Sequence, residues 1–303
     1  MNGTEIIKLL TNNLPEVMSV VNSVAGSVFT AIFLRNNTST KEFEKIKAGK
    51  FGEVADILLE SGKMTYTEYY KANNFLDIAK KADEFYSEMN SSNSDKVYDF
   101  DWFFRFYEAA STVSDAAMQE LWAKILAGEV SEPSTFSFKT IDILKNISKK
   151  DAELFIKVCS YSFVLGNTLY LPREDEYHNA NDILYVDIMK LNELGLMFSD
   201  GTIRTEFEVD TIPKCIVVND ELFMTISSKH GEKIKFSINQ YPFTEAGREI
   251  ASLISQRPSD DIFIEYAKLL SKKNDNCIFS IFRIIERDGD DFTYINENLL
   301  DIN

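Results

Sequence analysis

The residues best suited to chemistry crowd into one stretch, REDEYHNANDI at 173–183, where Glu174, Asp175, Glu176, His178 and Asp182 follow one another closely. Glu174, Glu176, His178 and Asp182 are the candidate metal ligands, and an oxygen-rich set of this kind suits a hard cation such as Mg2+. A metal cage needs ligands that converge on one point, whereas the same string also reads as a solvated acidic loop between a strand and a helix. A second carboxylate group, Asp99, Asp101 and Glu108, has Arg105 four residues after Asp101, the spacing of an ordinary helical ion pair. GKFGE at 49–53 offers two glycines without the G-K-[ST] ending of a phosphate loop. With two histidines in the chain, His178 and His230, far apart, a zincin site is excluded and a Ser-His-Asp arrangement has little to draw on. The sequence therefore assigns no catalytic residue and no cofactor.

The 303 residues are 45% apolar and 13% aromatic, enough for one large or two medium cores without disulfides. Forty-eight acidic against 32 basic side chains give a net charge of −16, which repels phosphate backbones and anionic headgroups. Nucleic acid is thus disfavoured as a partner. Cys159, Cys215 and Cys277 lie apart with apolar neighbours and no C-x-x-C pair, as reduced cytoplasmic thiols do. The first residues lack the basic n-region and cleavage site of a secretory signal.

The elements that must position these groups begin with an apolar helix in residues 1–40. Its uncharged run VMSVVNSVAGSVFTAIFL, 17–34, gathers Val17, Val21, Val24, Val28, Phe29, Ile32 and Phe33 as candidate membrane or oligomer contacts. The run is short for a spanning helix and carries no Lys or Arg, so it reads first as a packing or self-association helix, with contact to the inner membrane as the other use. Residues 41–95 form a helical segment that pauses at SGKMTYTEYY, resumes with Phe75, Ile78, Ala79 and Phe85, and ends in the linker NSSNSD.

Residues 96–165 read as a helical core unit. Trp102, Phe103, Phe106, Ala109 and Ala110 make one heavy face. In MQELWAKILAGEV, Met118, Leu121, Trp122, Ile125 and Leu126 repeat at helical spacing, with Ser114 placed to cap the start and Gly128 to mark the stop. Phe138, Ile141, Leu144 and Ile147 follow. Ser148 and Asp151 then form a capping box before Ala152, Phe155, Ile156 and Cys159. Packing and caps account for the whole stretch, so it reads as scaffold.

MQELWAKILAGEV followed by LKNISKKDAELF resembles the signature of the bacterial domain-of-unknown-function 2806 family, and by helix order and its Leu-Trp-Ala motif it is also similar to the abortive-infection alpha family. The second resemblance implies a part in defence against phage. Neither supplies catalytic residues to carry over.

Residues 166–303 change period, with strand-like runs at NTLYL, TIRTEFEV, KCIVV, LFMTIS and KIKFSI. NDILYVDIMKLNELGLM reads as a helix capped by Asn181 and stopped at Gly195, and YPFTEAGREIASLI as a closing helix. That order resembles a winged-helix module. Its candidate recognition helix exposes Asp182, Asp187, Lys190, Asn192 and Glu193, too acidic for a groove, and Lys229, His230, Lys233 and Lys235 read as a solvated hairpin.

The expected fold is therefore mainly α over the N-terminal two thirds, with an α+β winged-helix-like C-terminal part. The expected function is a non-enzymatic bacterial protein of abortive-infection-like antiviral defence, cytoplasmic, acting through a protein partner or self-association. Two alternatives remain: a membrane-acting effector using residues 17–34, and a metal-dependent hydrolase using the 174–182 cluster.

Overall fold

The computed structural model describes residues 65–88, 99–288, 291–295 and 299–302. The 17–34 helix with Val17, Val21, Val24, Val28, Phe29, Ile32 and Phe33, the GKFGE run and the NSSNSD linker lie outside the described residues. The chain forms two compact units, one ending at Lys145 and one beginning at Asn146.

In the first unit, α1 (Tyr66–Glu88) starts where Thr65 and Glu68 cap each other, with the Thr65 N–H donating to Glu68 Oε2 at 2.8 Å and the Glu68 N–H to Thr65 Oγ1 at 3.3 Å. Ala72, Phe75, Leu76, Ala79 and Ala82 recur at helical spacing and are buried. They meet α2 (Phe100–Ala110) and α3 (Ala116–Ser131) through an aromatic chain. Phe75 packs edge-on against Phe103, Phe106 and Tyr107, Trp102 stacks on Phe106 at 5.1 Å, and Phe106 meets Trp122 edge-on at 5.2 Å. Aromatic pairs of this geometry add about 0.5–1.5 kcal/mol each beyond the area they bury.

The AGEVSEPSTF segment is a lock between α3 and α4 (Phe138–Asn146). Asp115, one residue after the expected Ser114, caps α3 by accepting from the Ala117 and Met118 N–H groups. Gly128 does not stop the helix, which runs on to Ser131; it leaves room for the Phe136 ring, which an added Cβ would meet at 2.8 Å. The Glu129 carboxylate, only 5% exposed, accepts from the Ser134 N–H at 2.7 Å and the Phe136 N–H at 3.0 Å. The Trp102 indole N–H closes the lock on the Phe136 carbonyl at 2.6 Å.

The second unit opens with α5 (Lys149–Cys159), whose Ser148–Asp151 capping box is present as the sequence predicts. Phe155 and Cys159 face inward, but Ile156 is exposed. From Phe163 onward the chain builds a sheet: β1 (Phe163–Leu165), β2 (Thr168–Pro172), β3 (Arg204–Val209), β4 (Lys214–Val218), β5 (Leu222–Ser228), β6 (Ile234–Pro242), β7 (Cys277–Asp288), β8 (Asp291–Tyr294) and β9 (Leu300–Ile302). The order is β3-β6-β2-β1-β4-β5-β7-β8, with β9 also on β7, and every pairing is antiparallel.

This sheet overturns the expectation of a mainly α protein over two thirds of its length with a winged-helix-like end. Strands begin just past the chain's midpoint, and the runs taken as a local wing belong to one nine-stranded sheet. The ladders that make it, β2 with β6 and β5 with β7, join segments far apart in sequence, which local periodicity does not register.

The helices between strands also differ in detail. The helix expected from Asn181 begins later, as α7 (Tyr185–Glu193) with Leu184 at its cap position, while Asn181 instead ends a separate preceding helix, α6 (Asp175–Ala180), and Asp182 between them takes φ +51°. Gly195 does follow the end of α7, at φ +78°. The TEAGRE phrase has a packing cause. Thr244 caps α8 (Glu245–Ala251) by accepting from the Gly247 N–H, while its own hydroxyl donates to the Gly195 carbonyl at 2.7 Å and its N–H to the Leu196 carbonyl at 3.0 Å. That clamp seats Gly247 against the Leu196 carbonyl, which a Cβ would meet at 1.9 Å. Helix α9 (Asp260–Lys272) buries Phe263, Tyr266, Ala267 and Leu270, and the Tyr266 ring stacks on Phe163 of β1 at 4.9 Å.

Two outcomes follow from these contacts. Gly247→Ala is expected to cost about 3 kcal/mol in chemical denaturation, the upper part of the overpacking range, because the obstacle is backbone. Gly201→Ala, whose Cβ would meet only Arg173 Nη1 at 3.6 Å, serves as the near-neutral control. Burial raises the Glu129 carboxyl above its ordinary 4.5, against the opposing bonds from Ser134, Phe136 and Thr135. A carboxyl raised in the folded state contributes stability that is full below 4.5 and lost as pH rises through the folded value. The stability difference between the native chain and Glu129→Gln should therefore shrink as pH rises above that point, measured by denaturation across a pH series.

Candidate functional site

The acidic stretch singled out in the sequence sits where β2 hands over to α6. It is a helical turn rather than a loop. Glu174 occupies the cap position of α6 without capping it, because its carboxylate is taken by an ion pair with Lys273 and by the Asn239 amide at 3.3 Å. Glu176, in the first turn, pairs with Lys272 at 2.8 Å, and the bond from that ammonium holds the Glu176 carboxyl below its usual range. Both lysines come from the end of α9. The Glu176–Lys272 pair is solvated and adds little to stability, while Glu174 is largely covered by its partners.

His178 turns inward. It is buried, its Nε2 lies 2.6 Å from the Pro172 carbonyl, and its ring stacks on Tyr241 at 6.0 Å. A carbonyl only accepts, so Nε2 carries the proton. Asp182 faces a different neighbour, Lys157, at 3.4 Å. Glu174, Glu176, His178 and Asp182 thus look to four separate partners, and among the described residues no three His, Cys, Asp or Glu side chains come together to hold a metal ion. The other sequence candidates are equally placed. Lys229, His230, Lys233 and Lys235 are exposed on and beside the β5–β6 connection, which is not the expected hairpin because β5 and β6 are not neighbours in the sheet. Cys159 and Cys277 are buried and Cys215 is exposed, none of the three forms a disulfide, and burial pushes the Cys159 thiol up to about 12, away from nucleophile chemistry.

What the stretch does line is a cleft of about 480 Å³ bordered by Arg173, Glu174, Asp175, Glu176, Asn179, Tyr241 and Lys273. Arg173 follows Pro172 at the end of β2, where its N–H continues the ladder by donating to the Asn239 carbonyl at 3.1 Å. Its Nε is sealed from solvent and has no hydrogen-bond partner, a state that costs about 1–3 kcal/mol. Tyr241, 6% exposed, is paired with Leu171 and so lies diagonal to Arg173 on β6. Burial raises the Tyr241 hydroxyl's pKa, with Arg173 pulling it down and Asp175 pushing it up. Sequence reasoning missed Tyr241 and Lys273, since the first reaches the acidic stretch through the β2–β6 ladder and the second from the end of α9. Arg173 was visible as the lone cation opening that stretch.

The class so defined is a protein with a helical first unit and a second unit built on a nine-stranded antiparallel sheet, with a charged cleft at one strand-to-helix junction. The chain belongs to the family described as Protein of unknown function (DUF2806), whose model matches residues 61–270. No curated protein and no solved structure matches it. Among the described residues no helix is long and apolar enough to cross a membrane.

Burial lowers the His178 pKa below its ordinary 6.5, with the Pro172 bond, Asp175 and Glu174 opposing. A histidine lowered in the folded state contributes stability that is full above 6.5 and lost as pH falls through the folded value. The advantage of the native chain over His178→Gln should accordingly shrink on acidification below 6.5, read as the difference between their melting temperatures.

Proposed function

We propose that the protein works by binding rather than by turnover, as a component of bacterial defence against phage, and that α7 is its contact surface for a partner protein. One observation carries the binding reading. Leu184 at the cap of α7 and Tyr185, Val186 and Met189 on the helix are 56%, 59%, 64% and 44% exposed, while Ile188 and Leu191 on the opposite face are fully buried. The inward pair anchors the helix. The outward group puts tyrosine, methionine and branched aliphatics together in solvent, the residue types and patch character that mark protein interfaces. Asp187, Asn192 and a Lys190–Glu193 pair at 3.5 Å supply a polar rim. The placement in defence is supported by the similarity of helix order and the Leu-Trp-Ala motif to the abortive-infection alpha family.

The test is the double variant Val186→Lys, Met189→Asp. Both side chains are exposed, so stability should move by no more than about 0.5 kcal/mol. Phage plaque assays should show at least a tenfold loss of protection, about 1.4 kcal/mol if it tracks partner affinity. Full protection by a folded double variant would refute the reading. Loss of protection on replacing the exposed Glu176 and Asp182 with alanine would point instead to the hydrolase alternative.

A further inference from the structure

The cleft at the β2–α6 junction divides its polar groups into two sets. Glu174, Glu176 and Lys273 are committed to ion pairs, Glu176 with Lys272 just outside the lining. Arg173, Asp175, Asn179 and Tyr241 line the same space, and among the described residues their side-chain polar atoms make no hydrogen bond or ion pair. An uncommitted guanidinium and an uncommitted carboxylate are thus left in one cleft, close enough that both act electrostatically on the Tyr241 hydroxyl, yet not close enough to pair with each other.

Tyr241 is the rigid element. It is over nine-tenths buried, held by the β6 ladder and by its stack on His178, and its hydroxyl feels both charges. A plain anion entering here would meet Asp175, and a plain cation would meet Arg173. The complementary molecule carries both charges a short distance apart.

We propose that this cleft binds a small zwitterion with the chemistry of an α-amino acid. Its carboxylate accepts from the Arg173 guanidinium and the Tyr241 hydroxyl, and its ammonium donates to the Asp175 carboxylate and the Asn179 amide oxygen. Arginine suits the first task because its planar fork matches a carboxylate. The volume, about 480 Å³, lies within the range of small-molecule sites. A nucleotide fits poorly, because its phosphates would face three carboxylates on α6 and its approach. This cleft adjoins the α7 contact, since Tyr185 of α7 also acts on the Tyr241 hydroxyl, but the two proposals are tested by different variants.

The experiment is calorimetric titration of the full chain with each protein α-amino acid, and with propionate and ethylammonium as the separate halves of the pattern, at matched ionic strength. At least one amino acid should bind at unit stoichiometry, with each half at least tenfold weaker. Arg173→Gln and Asp175→Asn should each weaken it by at least tenfold, and Tyr241→Phe, which keeps the ring packing, should weaken it measurably. Circular dichroism checks that the variants fold. Should Arg173→Gln unfold, the exposed Asp175 decides alone. The proposal is overturned if no amino acid binds the folded chain at millimolar concentration, or if propionate binds as tightly as the best amino acid and Asp175→Asn changes nothing.

Discussion

The register of β2 on β6 is the constraint on which the second unit's site depends. Tyr170 pairs with Pro242, Leu171 with Tyr241 and Pro172 with Gln240, and the Arg173 N–H extends the ladder to Asn239. That pairing alone brings the acidic stretch beside the Tyr241 hydroxyl. Because side chains alternate across a strand, a slip of one residue would send Tyr241 to the other face and empty the cleft of its buried member. The stack of Tyr266 on Phe163 holds α9 against the sheet and so sets where Lys272 and Lys273 arrive. Aromatic packing in the interior and charge pairing at the surface are here one arrangement.

The helical unit solves a different problem with buried polar groups. Phe75, Phe106, Trp102 and Trp122 supply the apolar mass, but the turn after α3 is shaped by hydrogen bonds. Glu129 gathers the N–H groups of Ser134 and Phe136, and Trp102 takes the Phe136 carbonyl. The same chain of residues thus satisfies the Phe136 N–H and carbonyl, which burial of that residue would otherwise leave orphaned. It gives the AGEVSEPSTF stretch a structural reason to hold its residue types.

Much of the helical unit was legible in the sequence, because helix periodicity and caps are local signals. The faces of α1 and α2 are where spacing places them, as is the Ser148–Asp151 capping box that opens the second unit. Gly128 misled because glycine is read by default as a stop, whereas here it makes room for the Phe136 ring. The sheet was not legible as a whole. The runs that become β2 to β6 announced themselves by residue type, but β1 and β9 did not, and the ladders between remote strands left no trace in any window. The acidic stretch was found for its carboxylates, yet two of those are neutralised by lysines from α9, and the residues that remain uncommitted include a tyrosine from β6.

Strand β7 has a consequence beyond its place in the order. It is twelve residues long and is the shared spine of three ladders, to β5 over Cys277–Arg283, to β9 over Phe279–Ile281 and to β8 over Ile284–Asp288. Opening its first half would release β5 and β9 together, so their amides share one fate. The centre of β7, with Phe279 and Ile281 fully enclosed, is where amide hydrogens exchange last and where the unit's unfolding is most nearly all-or-none.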